Sequence, residues 1–163
     1  MKTKRKIAIV EDNIMFANIL ANHIQEEYKA ETSIYTSADQ FMESNMKEYD
    51  LLILDYYLNI SDYFAPSGEK VLKSINSTDI KLPIILLSDL NEPAKVSKLM
   101  REGVSQFVKK DDRLFLRIIE SISEIMKLKD SCEELDKNEF LSHKLSLRMI
   151  TVTSVVLVLL MIL

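Results

Sequence analysis

Five short aliphatic runs punctuate the first 130 residues, and each is followed by a stretch whose apolar residues recur three or four positions apart. The runs are KIAIV (Lys6 to Val10), TSIYT (Thr32 to Thr36), LLILD (Leu51 to Asp55), PIILLS (Pro83 to Ser88) and QFVK (Gln106 to Lys109). The helical stretches carry Phe16, Leu20 and Ile24; Phe41, Met42 and Met46; Val71, Leu72 and Ile75; Val96, Leu99 and Met100; and Leu114, Ile118, Ile122 and Ile125. Strands that are aliphatic almost throughout are covered on both faces, which is the mark of a parallel sheet. Right-handed crossovers then predict an α/β fold, a doubly wound sheet of five parallel strands between helical layers.

After Lys129 the pattern changes to DSCEELDKNEFLSHK, polar with Leu135, Phe140 and Leu141 at helical spacing, which predicts a stalk continuing the fifth helix. A second copy could pair along it to give a homodimer, but two heptads are too few to specify a coiled coil. The last fifteen residues, MITVTSVVLVLLMIL, carry no charge, and extension back to Leu145 gives nineteen residues interrupted only by Arg148. At about 1.5 Å per residue this longer version spans roughly 28 Å, close to the hydrocarbon thickness of a bilayer. It is apolar all round, which favours lipid or complete burial. Arg148 can snorkel, and with Lys144 it puts positive charge on the domain side, as a cytoplasmic orientation requires. Residues 145–163 are therefore expected to anchor the chain in the cytoplasmic membrane.

Composition narrows the function. The 163 residues are 47% apolar and 28% charged, enough for one globular core. A net charge of −4, with basic residues clustered only in KTKRK, gives no broad basic face, so nucleic acid is not expected as a ligand. One cysteine, Cys132, excludes an internal disulfide framework, and with only His23 and His143 beside it no thiolate–imidazole zinc site can be assembled. Gly68 and Gly103 are the only glycines, so no glycine-rich phosphate loop can be written; both are expected at turns or helix ends. The opening MKTKRKIAIVEDN does not read as a secretory signal.

Ligands of a doubly wound sheet bind at the carboxyl ends of its strands, near the point where strand order reverses. There this sequence places Glu11 and Asp12 after the first strand, Asp55 and Ser88 at the ends of the third and fourth, and Lys109 and Lys110 at the fifth. Three crowded carboxylates repel one another unless a cation neutralises them, and an oxygen-seeking ion such as Mg²⁺ suits the task, with a lysine ammonium alongside. The chemistry allowed is phosphoryl transfer to a carboxylate: Asp55 attacks in line, Asp12 holds Mg²⁺, and Lys110 with the Ser88 hydroxyl takes the remaining oxygens.

Over about residues 5 to 126 the chain resembles the receiver domains of two-component response regulators. The resemblance is carried by IAIVEDN with its acidic pair, YDLLILD, LPIILLS and EGVSQFVKKD, in that order and with fitting separations. Gly103 lies seven residues and Phe107 three residues before Lys110, which matches the family's lysine; Lys109 fits neither interval. It implies a flavodoxin-like receiver fold in which Asp55 is phosphorylated, Glu11 and Asp12 are the metal-binding pair, and the backbone carbonyl of Tyr57 is a further Mg²⁺ ligand. Ser88 is then the switch hydroxyl and Phe107 the aromatic that swings inward. A histidine kinase or phosphotransfer protein donates the phosphoryl group, and an output protein, not named by the sequence, reads the altered surface. Two departures concern the rim. The family commonly has proline four and glycine about eight residues after the phosphoacceptor, where this chain has Asn59 and reaches glycine only at Gly68. The family's lysine is also often followed by proline, whereas Asp111 follows here.

The expected organisation is a receiver domain over 1–127, a helical stalk or linker over 128–144, and the hydrophobic segment 145–163. Simpler roles compete at single positions: Asp12 or Asn13 could cap the first helix, Ser88 could cap a helix starting near Glu92 or Pro93, and Lys110 could be a solvated charge. The competing function is a receiver-like docking scaffold that needs no phosphate. An aspartyl phosphohydrolase acting on external substrates usually needs a second acid two residues after the nucleophile, where this chain has Tyr57, so no enzyme of that kind is expected. By the family's behaviour Tyr57 and Leu90, two residues beyond Asp55 and Ser88, hinder water and predict a slowly hydrolysed phosphoaspartate.

Overall fold

The computed structural model describes residues 4–58 and 67–162, with side chains up to Leu141 except that of Ser67. The elements are β1 (Lys6–Val10), α1 (Ile14–Tyr28), β2 (Glu31–Tyr35), α2 (Ala38–Met42), a single 3₁₀ turn (Met46–Glu48), β3 (Leu51–Asp55), α3 (Ser67–Asn76), β4 (Ile84–Ser88), α4 (Pro93–Arg101), β5 (Gln106–Lys109) and α5 (Leu114–Ile162). The five strands form one parallel sheet in the order β2-β1-β3-β4-β5. The chain runs outward from β1 to β2 and then returns to β3 on the other side of β1, so the order reverses between β1 and β3 and opens a crevice at their carboxyl ends.

Every residue of β3 and β4 is buried, as their unbroken aliphatic character predicts. Alternation along each strand splits the core in two. Ala8, Val10, Leu52, Leu54, Ile84 and Leu86 pack with Phe41, Val71, Leu72, Ile75 and Leu99, which come from α2, α3 and α4. The other set, including Ile7, Ile9, Ile53 and Ile85, is buried together with Leu20, Ile24, Ile118 and Ile122 of α1 and α5. The phenol of Tyr28 in α1 donates to the Ile119 carbonyl in α5 at 2.6 Å, and the Phe16 and Phe115 rings lie 5.7 Å apart, so these two helices are neighbours on that face.

Element ends follow local chemistry. Asn13 caps α1, its side chain accepting the Phe16 N–H at 3.1 Å, so the cap falls to Asn13 and not Asp12. The strand predicted over Thr32 to Thr36 lies one residue earlier, because Lys6 pairs with Glu31 and Val10 with Tyr35, while the Thr36 N–H turns away to the Gln40 side chain. Pro83 precedes β4, having no N–H to donate, although its carbonyl still accepts from Leu52 at 2.9 Å. Gly103 follows α4 with φ of 99°, a conformation that favours glycine.

The chain divides into two compact units, Met1–Ser123 and Glu124–Leu163, the first holding the sheet. In the second, Leu128, Leu135, Phe140 and Leu141 are exposed. Among the described residues no helix is long and apolar enough to cross a membrane. The side chains of 145–163, where the sequence places an anchor, lie outside the described residues, as does most of the NISDYFAPS loop.

Candidate functional site

Register brings the acidic residues together. Val10 pairs with Leu54 across β1 and β3, so Glu11 and Asp55 leave adjacent strands at the same height. Period-two alternation puts Glu11 on the face of Ile7 and Ile9, and Asp55 on the face of Leu51 and Ile53. On β5 the Lys109 side chain belongs to the opposite face from Lys110. The Lys109 ammonium is exposed and bonds the Asn91 side chain, whereas the Lys110 ammonium turns inward. Two backbone bonds align the strand ends: Tyr56 N–H donates to Leu87 at 3.0 Å, and Lys110 N–H donates to Ser88 at 3.1 Å.

One carboxylate oxygen from each of Glu11, Asp12 and Asp55 lies within 4.8 Å of the others. Glu11 and Asp55 are buried, at 2% and 4% exposure, and Asp12 is more open to water. The Lys110 ammonium bridges the two buried acids, at 2.8 Å from Asp55 Oδ2 and 3.1 Å from Glu11 Oε2. The other oxygens take backbone donors: Tyr57 N–H reaches Asp55 Oδ1 at 3.2 Å, and Asn13 N–H reaches Glu11 Oε1 at 3.2 Å. Lys110 also lies over the Phe16 ring, 5.5 Å from its centroid.

One ammonium shared by the two buried carboxylates leaves negative charge in a largely dry place. Burial pushes the Glu11 carboxyl up to about 7, the nearby Asp55 charge adding to this and Lys110 opposing it. Burial also raises Asp55 above the usual aspartate value, again against Lys110. For Lys110 burial pulls downward, but the hydrogen bond and charge of Asp55, and then of Glu11, outweigh it and hold the lysine above its ordinary value. Three carboxylate oxygens that converge on one point fit a hard divalent cation such as Mg²⁺.

Other predicted residues stand nearby with distinct environments. Ser88 is buried at the end of β4, its hydroxyl accepting the Leu90 N–H at 3.2 Å, and it does not cap α4, whose first flanking residue is Glu92. Phe107 pairs with Leu86 and is partly buried against the α2/α3/α4 side of the core. The Tyr57 side chain is exposed, while Leu90 is buried.

Three features of the rim were not legible in the pattern. Gly68, in the first turn of α3, sits so close to the end of β3 that an added Cβ would meet Tyr56 Cα at 2.8 Å and the Asp55 and Tyr56 carbonyl oxygens at 2.9 Å. Tyr56 is buried with the Lys95 ammonium of α4 over its ring, 5.3 Å from the centroid. Phe16 meets Lys110, and the only sequence signal for this is its place one helical turn beyond Asp12.

The model of the response regulator receiver domain matches residues 7–122. The chain belongs to that family. Solved structures with the same fold include the signal receiver domain of the putative LuxO repressor protein of Vibrio parahaemolyticus, with 23% identity, TM-score 0.64, and 80% of this chain and 98% of that one covered. The Francisella response regulator 1452 receiver domain shares 17% identity at TM-score 0.63, covering 77% of this chain and 99% of that one. Response regulator DrrB of Thermotoga maritima shares 20% at TM-score 0.65, with 78% and 54% covered. A comparison with curated proteins gives no match. As a receiver domain of five parallel strands with flanking helices, the chain has a site consistent with a phosphoacceptor role.

Proposed function

We propose that this receiver takes a phosphoryl group on Asp55 from a histidine kinase or phosphotransfer protein and thereby alters a surface read by an output protein. The observation that carries this reading is the convergence of Glu11, Asp12 and Asp55 on one point, with Lys110 bonded to Asp55 and Glu11. Such a group has no evident structural purpose, since two buried acids sharing one ammonium weaken the fold.

In the proposed step an Asp55 carboxylate oxygen attacks phosphorus in line, the phosphorus–nitrogen bond of the donor breaks, and its imidazole departs with the electron pair. Tyr57 N–H and Lys110 hold the carboxylate by its two oxygens and so fix the direction of attack. Glu11, Asp12, Asp55 and the Tyr57 backbone carbonyl would hold Mg²⁺. When bound, that ion supplies positive charge to the oxygens of the transferring group. Lys110 exchanges its bond to Asp55 for one to the new phosphoryl oxygens. The Ser88 hydroxyl, now engaged by Leu90 N–H, turns to the phosphoryl group, and Phe107 moves further inward as the β4 end closes. No external substrate is turned over.

We further propose that residues 145–163 tether the domain to the cytoplasmic membrane, on the support of their uncharged sequence and of Lys144 and Arg148 at its domain-side end. Fractionation of the full chain against one ending at residue 144 tests the tether; equal partition of both into the membrane-free fraction refutes it. The phosphoacceptor reading is tested by intact mass after incubation with acetyl phosphate and Mg²⁺. Wild type gains one phosphoryl group and Asp55→Asn gains none; an unmodified wild type, or a modified Asp55→Asn, refutes it.

A further inference from the structure

Two groups of this chain already hold the Lys110 ammonium, and a third meets its remaining side. An ammonium has three N–H donors. Asp55 Oδ2 and Glu11 Oε2 accept at 2.8 and 3.1 Å, and the Phe16 ring lies with its centroid 5.5 Å from Nζ. Within about 6 Å of a ring face a cation is attracted by the ring's quadrupole.

Phe16 is itself held at both ends. Its backbone N–H is taken by the Asn13 side chain at 3.1 Å, in the first turn of α1. Its ring packs on Phe115 of α5, centroids 5.7 Å apart and planes tilted by 43°, and Phe115 is met edge-on by His23 at 5.9 Å. The ring therefore has a backbone anchor on one side and an aromatic neighbour on the other.

We propose that Phe16 is a positioning residue for phosphorylation, its ring face holding the Lys110 ammonium at Asp55 through the exchange of carboxylate for phosphoryl partners. The inference rests on the reading of Asp55 as phosphoacceptor. Were a divalent cation to take Glu11, Lys110 would keep one of its two acceptors, and without a third contact its long stem would be free to swing toward water. The ring supplies that contact without an acceptor oxygen, so it does not compete with the phosphoryl group for the ammonium's protons. It also covers a side of Nζ that water would otherwise solvate, which strengthens the lysine's interaction with developing charge. The alternative is that Phe16 serves only to pack α1 on Phe115, in which case any response to ring electronics persists when Lys110 is removed.

Fluorination separates the two roles, since it weakens the quadrupole while changing size little. Full-length protein carrying mono-, di- and trifluorinated phenylalanine at position 16, and the Phe16→Leu and Phe16→Trp variants, are each phosphorylated with acetyl phosphate and Mg²⁺. The rate at Asp55 falls stepwise with fluorination, falls about three-fold or more in Phe16→Leu, and is retained in Phe16→Trp. In a Lys110→Met background the same fluorinated series is flat; an equal stepwise fall there assigns the effect to the Phe115 contact and overturns the inference. A flat series in the wild-type background, with phosphorylation intact, overturns the inference and leaves the phosphoacceptor reading standing. A wild-type protein that takes no phosphate overturns that reading and the inference with it.

Discussion

Replacing Gly68 with alanine perturbs the site through its backbone alone. The new Cβ would stand 2.8 Å from Tyr56 Cα and 2.9 Å from the carbonyl oxygens of Asp55 and Tyr56, against 3.4 Å or more for ordinary contact. Restoring ordinary contact takes a shift of about 0.5 Å at each of three backbone atoms, and none is the tip of a flexible side chain that can turn aside. Forcing a methyl group into such a place costs about 1–3 kcal/mol. For a unit of this size each kcal/mol lowers Tm by about 4 °C, so the expected fall is about 4–12 °C. The strain falls on Asp55, the proposed nucleophile, and on Tyr56, which follows it. A displaced Asp55 loses the alignment set by Tyr57 N–H and Lys110, so phosphorylation by acetyl phosphate should slow by about ten-fold beyond any loss of folded protein. Gly103→Ala is the control. It is strained by its φ of 99° and meets only the Asn76 side chain, at 3.1 Å, so it should lower Tm while leaving the rate per folded molecule unchanged. The assay is Tm by circular dichroism beside the rate of mass gain on Asp55. Wild-type Tm and rate in Gly68→Ala would show that α3 does not press on the site as described.

Other expectations follow from the charges. Glu11 titrates near 7 in the fold, above its ordinary 4.5, so the stability it contributes is present below that ordinary value and is lost as pH rises through about 7. Metal-free protein should therefore lose stability between pH 5 and pH 8, by at most about 3 kcal/mol and by less after solvent screening. Added Mg²⁺ should remove the loss and bind more weakly as pH falls below 7; a flat urea midpoint across this range would count against it. Asp55, also raised, acts in the same direction, while Lys110, raised above 10.5, changes stability only in strong base. Lys110→Met leaves two buried acids facing each other and should cost about 2 kcal/mol without metal, with much slower phosphorylation; unchanged stability in a urea titration would contradict the bridging geometry. Tyr57→Ala removes the bulky side chain two residues beyond Asp55 and should shorten the phosphoaspartate lifetime, followed by loss of the added mass; an equal lifetime would remove Tyr57 as a shield.

The parts of the molecule written in continuous patterns were readable from the sequence. β1, β3 and β4 are aliphatic almost to their last residue, so their ends, and with them Glu11, Asp55 and Ser88, could be located before the fold was known. Lys110 could be chosen over Lys109 because Gly103 and Phe107 stand at the family's intervals from it, and the alternation of β5 turns it toward Asp55. Competition between equivalent local signals was harder to resolve. Asp12 and Asn13 are both good caps, and Asn13 takes the role because its side chain reaches Phe16 N–H. Thr32 to Thr36 is as strand-like as the observed Glu31–Tyr35, and pairing with β1 selects the register. Least legible were the contacts that depend on how helices cross the sheet: Gly68 against Tyr56, Lys95 over Tyr56 and Phe16 beside Lys110. None leaves a periodic trace, because each joins single residues from distant elements.

Peptide mapping of matched samples tests the central claim most directly. The protein is incubated with acetyl phosphate in Mg²⁺ or in excess chelator, digested under conditions that preserve acyl phosphates, and sequenced by fragmentation. The account predicts one phosphoryl group, on Asp55, in the Mg²⁺ sample only. Phosphate on another residue, or equal labelling of Asp55 with the metal removed, would contradict it.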